Sequence, residues 1–212
     1  MKGARVDAIY AKYHPYFARR RMERFLEEFG VSNRMQIVDV GGTPLNWQLV
    51  STNAQVTLVN LRHRDDSPSE NLVYVEGDGR ALPYPDRTFD IAFSNSVIEH
   101  LGTAEDQARF AEELRRVGRG VWCQTPARSF PLEPHLLAPF IHWLPLRWRR
   151  RLVHLTPWAL ITRATRAEAD AAACEIRLLT FGEMRRLFPD CEILKERLAG
   201  LTKSYIAVRK PL

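Results

Sequence analysis

Three observations predict an α/β fold whose core is a doubly wound, mostly parallel sheet of seven strands. Five short apolar runs between residues 36 and 125 read as strands and alternate with helical segments, the pattern of a parallel sheet covered by helices. The first run, Gln36 to Val40, leads directly into Gly41-Gly42, so a strand, a sharp turn and a helix start present free backbone N–H groups in one place. The chain closes on two further strand-like runs, Cys191 to Ala199 and Ser204 to Arg209, joined by a short connection that contains Gly200.

The 212 residues suit a single domain over 1–212, with an N-terminal helical segment at 1–30 and an insertion at 126–180. No run of eighteen apolar residues and no signal-peptide pattern occurs, so a soluble, cytoplasmic protein is expected. Cys123, Cys174 and Cys191 are odd in number, far apart and in no CxxC pairing, which argues against a disulfide framework or a zinc site.

Along the chain, Tyr10 to Phe29 reads as a helix with Met22, Phe25, Leu26 and Phe29 on one face, stopped by Gly30. The aromatic and histidine side chains before that face, Tyr10, Tyr13, His14 and Tyr16, either line a substrate side or pack. After Gln36 to Val40, Thr43 is placed to cap and Pro44 to open the next helix. Neither a phosphate-binding loop nor a G-x-G-x-x-G string is present, whereas an acid, Asp39, stands two residues before Gly41.

The second strand, Gln55 to Leu61, carries Asn60 where a nucleoside-binding sheet usually places an acid for the ribose hydroxyls. Asparagine keeps an acceptor and adds a donor. Arg62 to Glu70 reads as a solvated connection, Asn71 to Val75 as the third strand, and Gly77-Asp78-Gly79 as a turn that Asp78 is able to cap. Phe89 to Asn95 is the fourth strand, with Ser94 and Asn95 at the carboxyl end where open parallel sheets bind ligands. Thr103 to Arg119 is a helix capped by Thr103, Gly120 to Thr125 the fifth strand ended by Pro126, and Thr180-x-x-Glu183 a capping box.

The string VDVGGT, followed by Asp78, Leu82-Pro83, Phe89-Asp90 and Ile98-Glu99-His100 in that order, resembles the class I methyltransferases that use S-adenosyl-L-methionine (SAM). The small-molecule subgroup that includes the ubiquinone-biosynthesis enzymes is the most similar in pattern. The resemblance implies the class I methyltransferase fold, SAM as cofactor, and a turn of Asp39, Gly41, Gly42 and Thr43 that holds the donor's amino-acid end. It implies further that Asn60 meets the ribose, that Asp78 and Gly79 meet the adenine, and that Ser94 and Asn95 border the sulfonium. In quinone-type relatives a glutamate three residues before the Glu-His pair supports a metal; Ser96 stands there in this chain, so no metal is expected.

The segment after the fifth strand is the chain's own. Glu133 and His135, two residues apart in an extended, proline-fixed loop, project to one side and are candidates for a general base. The plainer alternative pairs Glu133 with an arginine and bonds His135 to the backbone. His100, next to Glu99, is a further candidate base or else a histidine that bonds the backbone at a helix end. From Pro134 to Ala167 there is no acid but six arginines, in a chain of net charge +6 and pI near 9.5. Residues 136–162 are expected to form a helical cap in which Leu144, Trp148, Leu152 and Leu155 make an apolar stripe edged by Arg147, Arg150 and Arg151. Such a stripe suits peripheral contact with an anionic membrane at its inner face, or packs on the sheet. The function expected is therefore methyl transfer, most readily to oxygen of a small or lipid-linked acceptor. An RNA methyltransferase and a non-catalytic SAM-fold subunit are the alternatives. Nucleic acid is disfavoured, because the basic excess is one local cluster without an added RNA-binding module.

Overall fold

A computed structural model describes residues 4–61 and 71–211, with side chains from Phe17 onward. The expectations for Tyr10, Tyr13, His14 and Tyr16, and for the connection from Arg62 to Glu70, lie outside the described residues. Five parallel strands, β1 (Gln36–Val40), β2 (Gln55–Asn60), β3 (Leu72–Glu76), β4 (Phe89–Asn95) and β5 (Gly118–Pro126), stand in the order β3-β2-β1-β4-β5. A two-residue hairpin pair, β6 (Leu132–Glu133) and β7 (Ala138–Pro139), lies apart. The last strands, β8 (Glu192–Leu198) and β9 (Leu201–Arg209), complete the seven-stranded sheet, β9 running antiparallel to β5 and β8 antiparallel to β9. Chain order reverses between β1 and β4, so the ligand crevice of an open sheet opens there.

The closing hairpin is tighter than the sequence suggests. Leu198 pairs with Leu201 across Ala199-Gly200, both at positive φ (49° and 80°), the backbone a two-residue turn needs to match strand twist. β5 likewise starts earlier, at Gly118, because α3 (Ala104–Val117) ends there; Thr103 caps that helix by accepting from the Asp106 N–H at 3.0 Å.

Alternation along β1 sends Ile37 and Asp39 to one face of the sheet and Val38 and Val40 to the other. The first face is covered by α1 (Ala4–Phe29), whose Phe25 ring meets Phe93 (centroids 4.8 Å), Trp122 (5.5 Å) and Trp47 (6.1 Å). The second is covered by Phe110 and Leu114 of α3 with Met184 of α7 (Phe181–Leu187). Among the described residues no helix is long and apolar enough to cross a membrane.

Between β5 and α7 the chain builds a third core of Leu136, Ala138, Ile141, Val153, Ala169 and Ala173. Around it lie α4 (Leu146–Leu152), α5 (Pro157–Thr162) and α6 (Arg166–Glu175). The apolar stripe does not pack on the sheet: Trp148, Leu152 and Leu155 are 45%, 39% and 69% exposed. Arg149 has a different task from its neighbours, donating to the Ala173 and Ile176 carbonyls that end α6. Arg151 lies over the Trp148 ring, 5.3 Å from its centroid.

Candidate active site

At the carboxyl end of β1 the turn leaves no room for side chains. Gly41 sits at φ +79°, and a Cβ there would lie 2.5 Å from Val97 Cγ1. A Cβ on Gly42 would fall 2.0 Å from the Asp39 carboxylate. Asp39 is fully buried; its Oδ2 accepts from Trp47 Nε1 at 2.8 Å while Oδ1 has no hydrogen-bond partner. Burial raises its pKa to about 7, the Trp47 bond opposing that shift. Thr43 takes the N-cap position without a side-chain capping bond, and the helix that Pro44 opens, α2 (Pro44–Trp47), is a single turn. The expectation of a hydroxyl cap and a full helix N-terminus is therefore corrected: one turn has little dipole, and its free N–H groups lie on the loop itself.

Asn60 faces the same loop. Its Nδ2 donates to the Gly41 and Gly42 carbonyls at 3.4 and 3.2 Å, and its Oδ1 accepts from the Leu61 N–H at 2.8 Å. The side chain thus braces the turn. Asp78 makes the expected Asx bond, accepting from the Arg80 N–H at 2.9 Å, and pairs with the Arg80 guanidinium at 2.6 Å. That hydrogen bond holds the Asp78 carboxyl below its usual range. Gly79 is demanded by packing, since a Cβ would lie 2.6 Å from both Phe110 and Val40.

Two side chains stand at the carboxyl end of β4, as the sequence places them, and each has a protein partner. Ser94 is buried, and its hydroxyl donates to the Val40 carbonyl at 3.0 Å, which ties β4 to β1. Asn95 Oδ1 accepts from Arg21 at 2.8 Å, and Arg21 in turn holds Glu196 at 2.9 Å. This joins the strand end to α1 and β8.

The three candidate bases come together. His135 Nδ1 lies 2.7 Å from Glu133 Oε1, and the buried Glu133 also accepts from the Leu136 N–H. The alternative with an arginine for Glu133 and a backbone bond for His135 is not what forms. His100 meets the His135 ring edge-on, centroids 4.7 Å apart, and its Nδ1 lies 3.4 Å from Glu175 Oε1, so it faces a carboxylate rather than the backbone. Burial works against a charged His135, yet the hydrogen bond and charge of Glu133, with Glu99 and Glu175 nearby, hold its pKa above the ordinary value. Burial works to raise the Glu133 pKa, but the same pairing keeps it below the usual range.

Sequence reasoning singled out Glu99 beside His100 but did not see that Glu99, Thr125 and Glu175 join Glu133 and His135 in one cluster. Glu99 is fully buried, accepts from the Thr125 hydroxyl at 2.9 Å and lies 3.9 Å from His135 Nε2. Its neighbour His100 was the only signal, because residues 99, 125, 133 and 175 meet through the fold alone.

A SAM molecule finds a fit in this crevice. The unpaired buried oxygen of Asp39 suits an ammonium, and the glycine turn admits a close backbone approach; Asn60 departs from the pattern, being spent on the loop.

The profile of a family described as a methyltransferase domain matches residues 42–120, from the glycine turn into β5. No curated protein matches the chain. Among solved structures it is similar to a chain of the Haloferax volcanii complex that contains the Trm112 methyltransferase activator, with 13% identity and a TM-score of 0.55 over 97% of this chain and 96% of that one. It is similar also to magnesium protoporphyrin IX methyltransferase from Synechocystis PCC 6803 with bound SAH, at 11% identity and a TM-score of 0.56 over 93% and 84%. A SAM-dependent methyltransferase from Aquifex aeolicus is a third, at 16% identity and a TM-score of 0.50 over 88% and 87%. The sheet order and these likenesses establish the class I methyltransferase fold. Together with the match to the methyltransferase domain, they support a SAM-dependent methyltransferase of class I with S-adenosyl-L-methionine as its donor.

Proposed function

We propose that this chain transfers a methyl group to a hydroxyl oxygen of a small or lipid-linked acceptor. The observation that carries the reading is the Glu133–His135 pair, 2.7 Å apart and set in the loop just beyond β5, on the side of Glu99 and His100. SAM supplies, when bound, a methyl group on a sulfonium, open to direct displacement. Asp39, the Gly41-Gly42 turn and Asp78 are the residues that would hold it, with Asn60 acting through the loop it braces. Displacement at a methyl group needs alignment of the nucleophile more than it needs strong acid–base chemistry. A hydroxyl nucleophile must still lose its proton. Glu133 fixes the His135 ring through Nδ1 and so leaves Nε2 as the atom that takes that proton.

The outward stripe of Trp148, Leu152 and Leu155 beside Arg147, Arg150 and Arg151 favours a lipid-linked acceptor reached at an anionic membrane surface. Incubation of the chain with methyl-labelled SAM and cell-extract fractions tests the whole reading. Label is expected in lipids or small polar molecules. Label confined to RNA would favour the nucleic-acid reading instead, and donor binding without transfer to any fraction would favour a non-catalytic subunit.

A further inference from the structure

Lys203 is half-buried near the start of β9, and its charge is not matched. The carboxylate beside it, Glu196, is taken: Oε1 and Oε2 accept from Arg21 at 3.2 and 2.9 Å, and Oε2 accepts also from the Ser204 hydroxyl. Among the described residues no carboxylate forms an ion pair with Lys203, so two cations share one acid. Burial, with repulsion from Arg21 added and Glu196 opposing, lowers the Lys203 pKa from 10.5 to about 8. An ammonium withdrawn from water beside a second cation is costly unless an anion comes to meet it.

The backbone aims this side chain. In the β8–β9 ladder Glu196 stands opposite Ser204 and Arg197 opposite Thr202, which leaves Lys203 as the extra residue of a β-bulge. Strict alternation would send Lys203 to the sheet face opposite that of Ser204. Instead its Nζ lies 3.3 Å from the centroid of the Phe17 ring on α1, the helix whose Arg21 meets Glu196 and Ser204. The place is the carboxyl end of the sheet. Arg21 donates to Asn95 at the end of β4 at 2.8 Å, and the Lys203 carbonyl accepts from the Ala127 N–H, just past β5, at 2.9 Å. Two residues before Ala127, Thr125 donates to Glu99, which lies 3.9 Å from His135 Nε2. Cation and base thus flank the end of one strand.

We propose that Lys203, with the charge of Arg21 behind it, receives an anionic group of the acceptor, a carboxylate or a phosphate, on the α1 side of the crevice. The inference rests on the crevice being the acceptor's site, as in the proposed function, and narrows that acceptor to one that carries an acid group besides its hydroxyl. An ammonium on a flexible stem is a compact point charge with three donors, so it serves either anion. Held at both ends, the acceptor has its hydroxyl fixed against His135, the alignment that methyl displacement chiefly needs.

The full chain, its lysines carried as isotope-labelled dimethyl amines, is titrated near neutral pH with inorganic phosphate, with acetate and, at matched ionic strength, with chloride. The Lys203 resonance, assigned by its loss in Lys203→Gln, should shift saturably with phosphate or acetate at a Kd on the order of 1–10 mM and not with chloride. The resonance of Lys195, which lies over the Phe181 ring, should stay. The bound anion should also raise the Lys203 pKa, because it favours the ammonium. With labelled SAM, methylated product should be retained on an anion exchanger, and Lys203→Gln should raise KM for that acceptor about 10- to 100-fold with kcat little changed, Lys203→Arg restoring most of it. No saturable shift up to about 50 mM anion, or a shift equal to that with chloride, overturns the site. A fall in kcat that Lys203→Arg does not restore, the mark of a base, overturns it too. So does weaker SAM binding in Lys203→Gln, which would give Lys203 to the donor's carboxylate. The resonance titration involves no methyl transfer, so it decides the anion site even where the proposed reaction fails.

Discussion

Asp39 links the donor site to the stability of the chain. Its carboxyl is fully buried, with a pKa raised to about 7 from 3.8 by burial, so the folded state holds a proton that the unfolded chain has released over that interval. A group whose pKa is raised on folding contributes stability that is complete below the unfolded value and is lost as pH climbs through the folded one. The Asp39 contribution, on the order of 4 kcal/mol across that interval, should therefore fade between pH ~4 and ~7. Urea midpoints of the chain and of Asp39→Asn, compared from pH ~5 to ~8, should diverge in that sense; parallel curves would mean Asp39 titrates normally. If its free oxygen meets the donor's ammonium, SAM affinity should also rise as pH increases from ~6 to ~7 and lose that rise in Asp39→Asn. Gly42, whose Cβ would fall on this same carboxylate, shows why the acid and the glycine are one unit.

At the scale of elements, α1 is held by one ring. Phe25 is fully buried and touches Phe29, Trp47, Phe93 and Trp122, so Phe25→Ala leaves a cavity against four aromatic neighbours. A loss of about 3–5 kcal/mol is expected in denaturant unfolding. A cost below about 1 kcal/mol would show that α1 packs elsewhere. The helices after β5 behave differently: their third core faces inward while Trp148, Leu152 and Leu155 face out. Sedimentation with anionic vesicles should carry the chain down, neutral vesicles should not, and added salt should release it. Arg147, Arg150 and Arg151 changed together to Gln should abolish the effect without touching Arg149, which holds the end of α6. Equal sedimentation with neutral lipid, or none with either, would remove membrane docking from the account.

Across the whole molecule, what could be read from sequence was whatever local chemistry determines. The alternation of strands and helices, the Thr103 and Thr180 caps and the Asp39-to-Gly42 turn are set within a few residues of chain, and each stands where its residues put it. That Glu133 and His135 share one side was legible for the same reason, two residues apart on one extended segment, whereas their bond to each other was not. Asn60 and Ser94 stand where the sequence places them, but their backbone partners were not legible. Whether a polar side chain meets a ligand or the neighbouring backbone depends on carbonyls brought from β1 and its turn, a contact that spacing cannot encode. The convergence of Glu99 with Thr125, Glu133, His135 and Glu175 was not legible for a stronger version of that reason, being drawn from the short helical turn at Ile98–His100, β5, the β6–β7 hairpin and the end of α6. The measurement that tests the central claim most directly is calorimetric titration of the full chain with SAM and with S-adenosylhomocysteine. Saturable binding of one ligand per chain is predicted, weakened in Asp39→Asn; no binding of either ligand at about 1 mM would contradict the assignment of this crevice to a methyl donor.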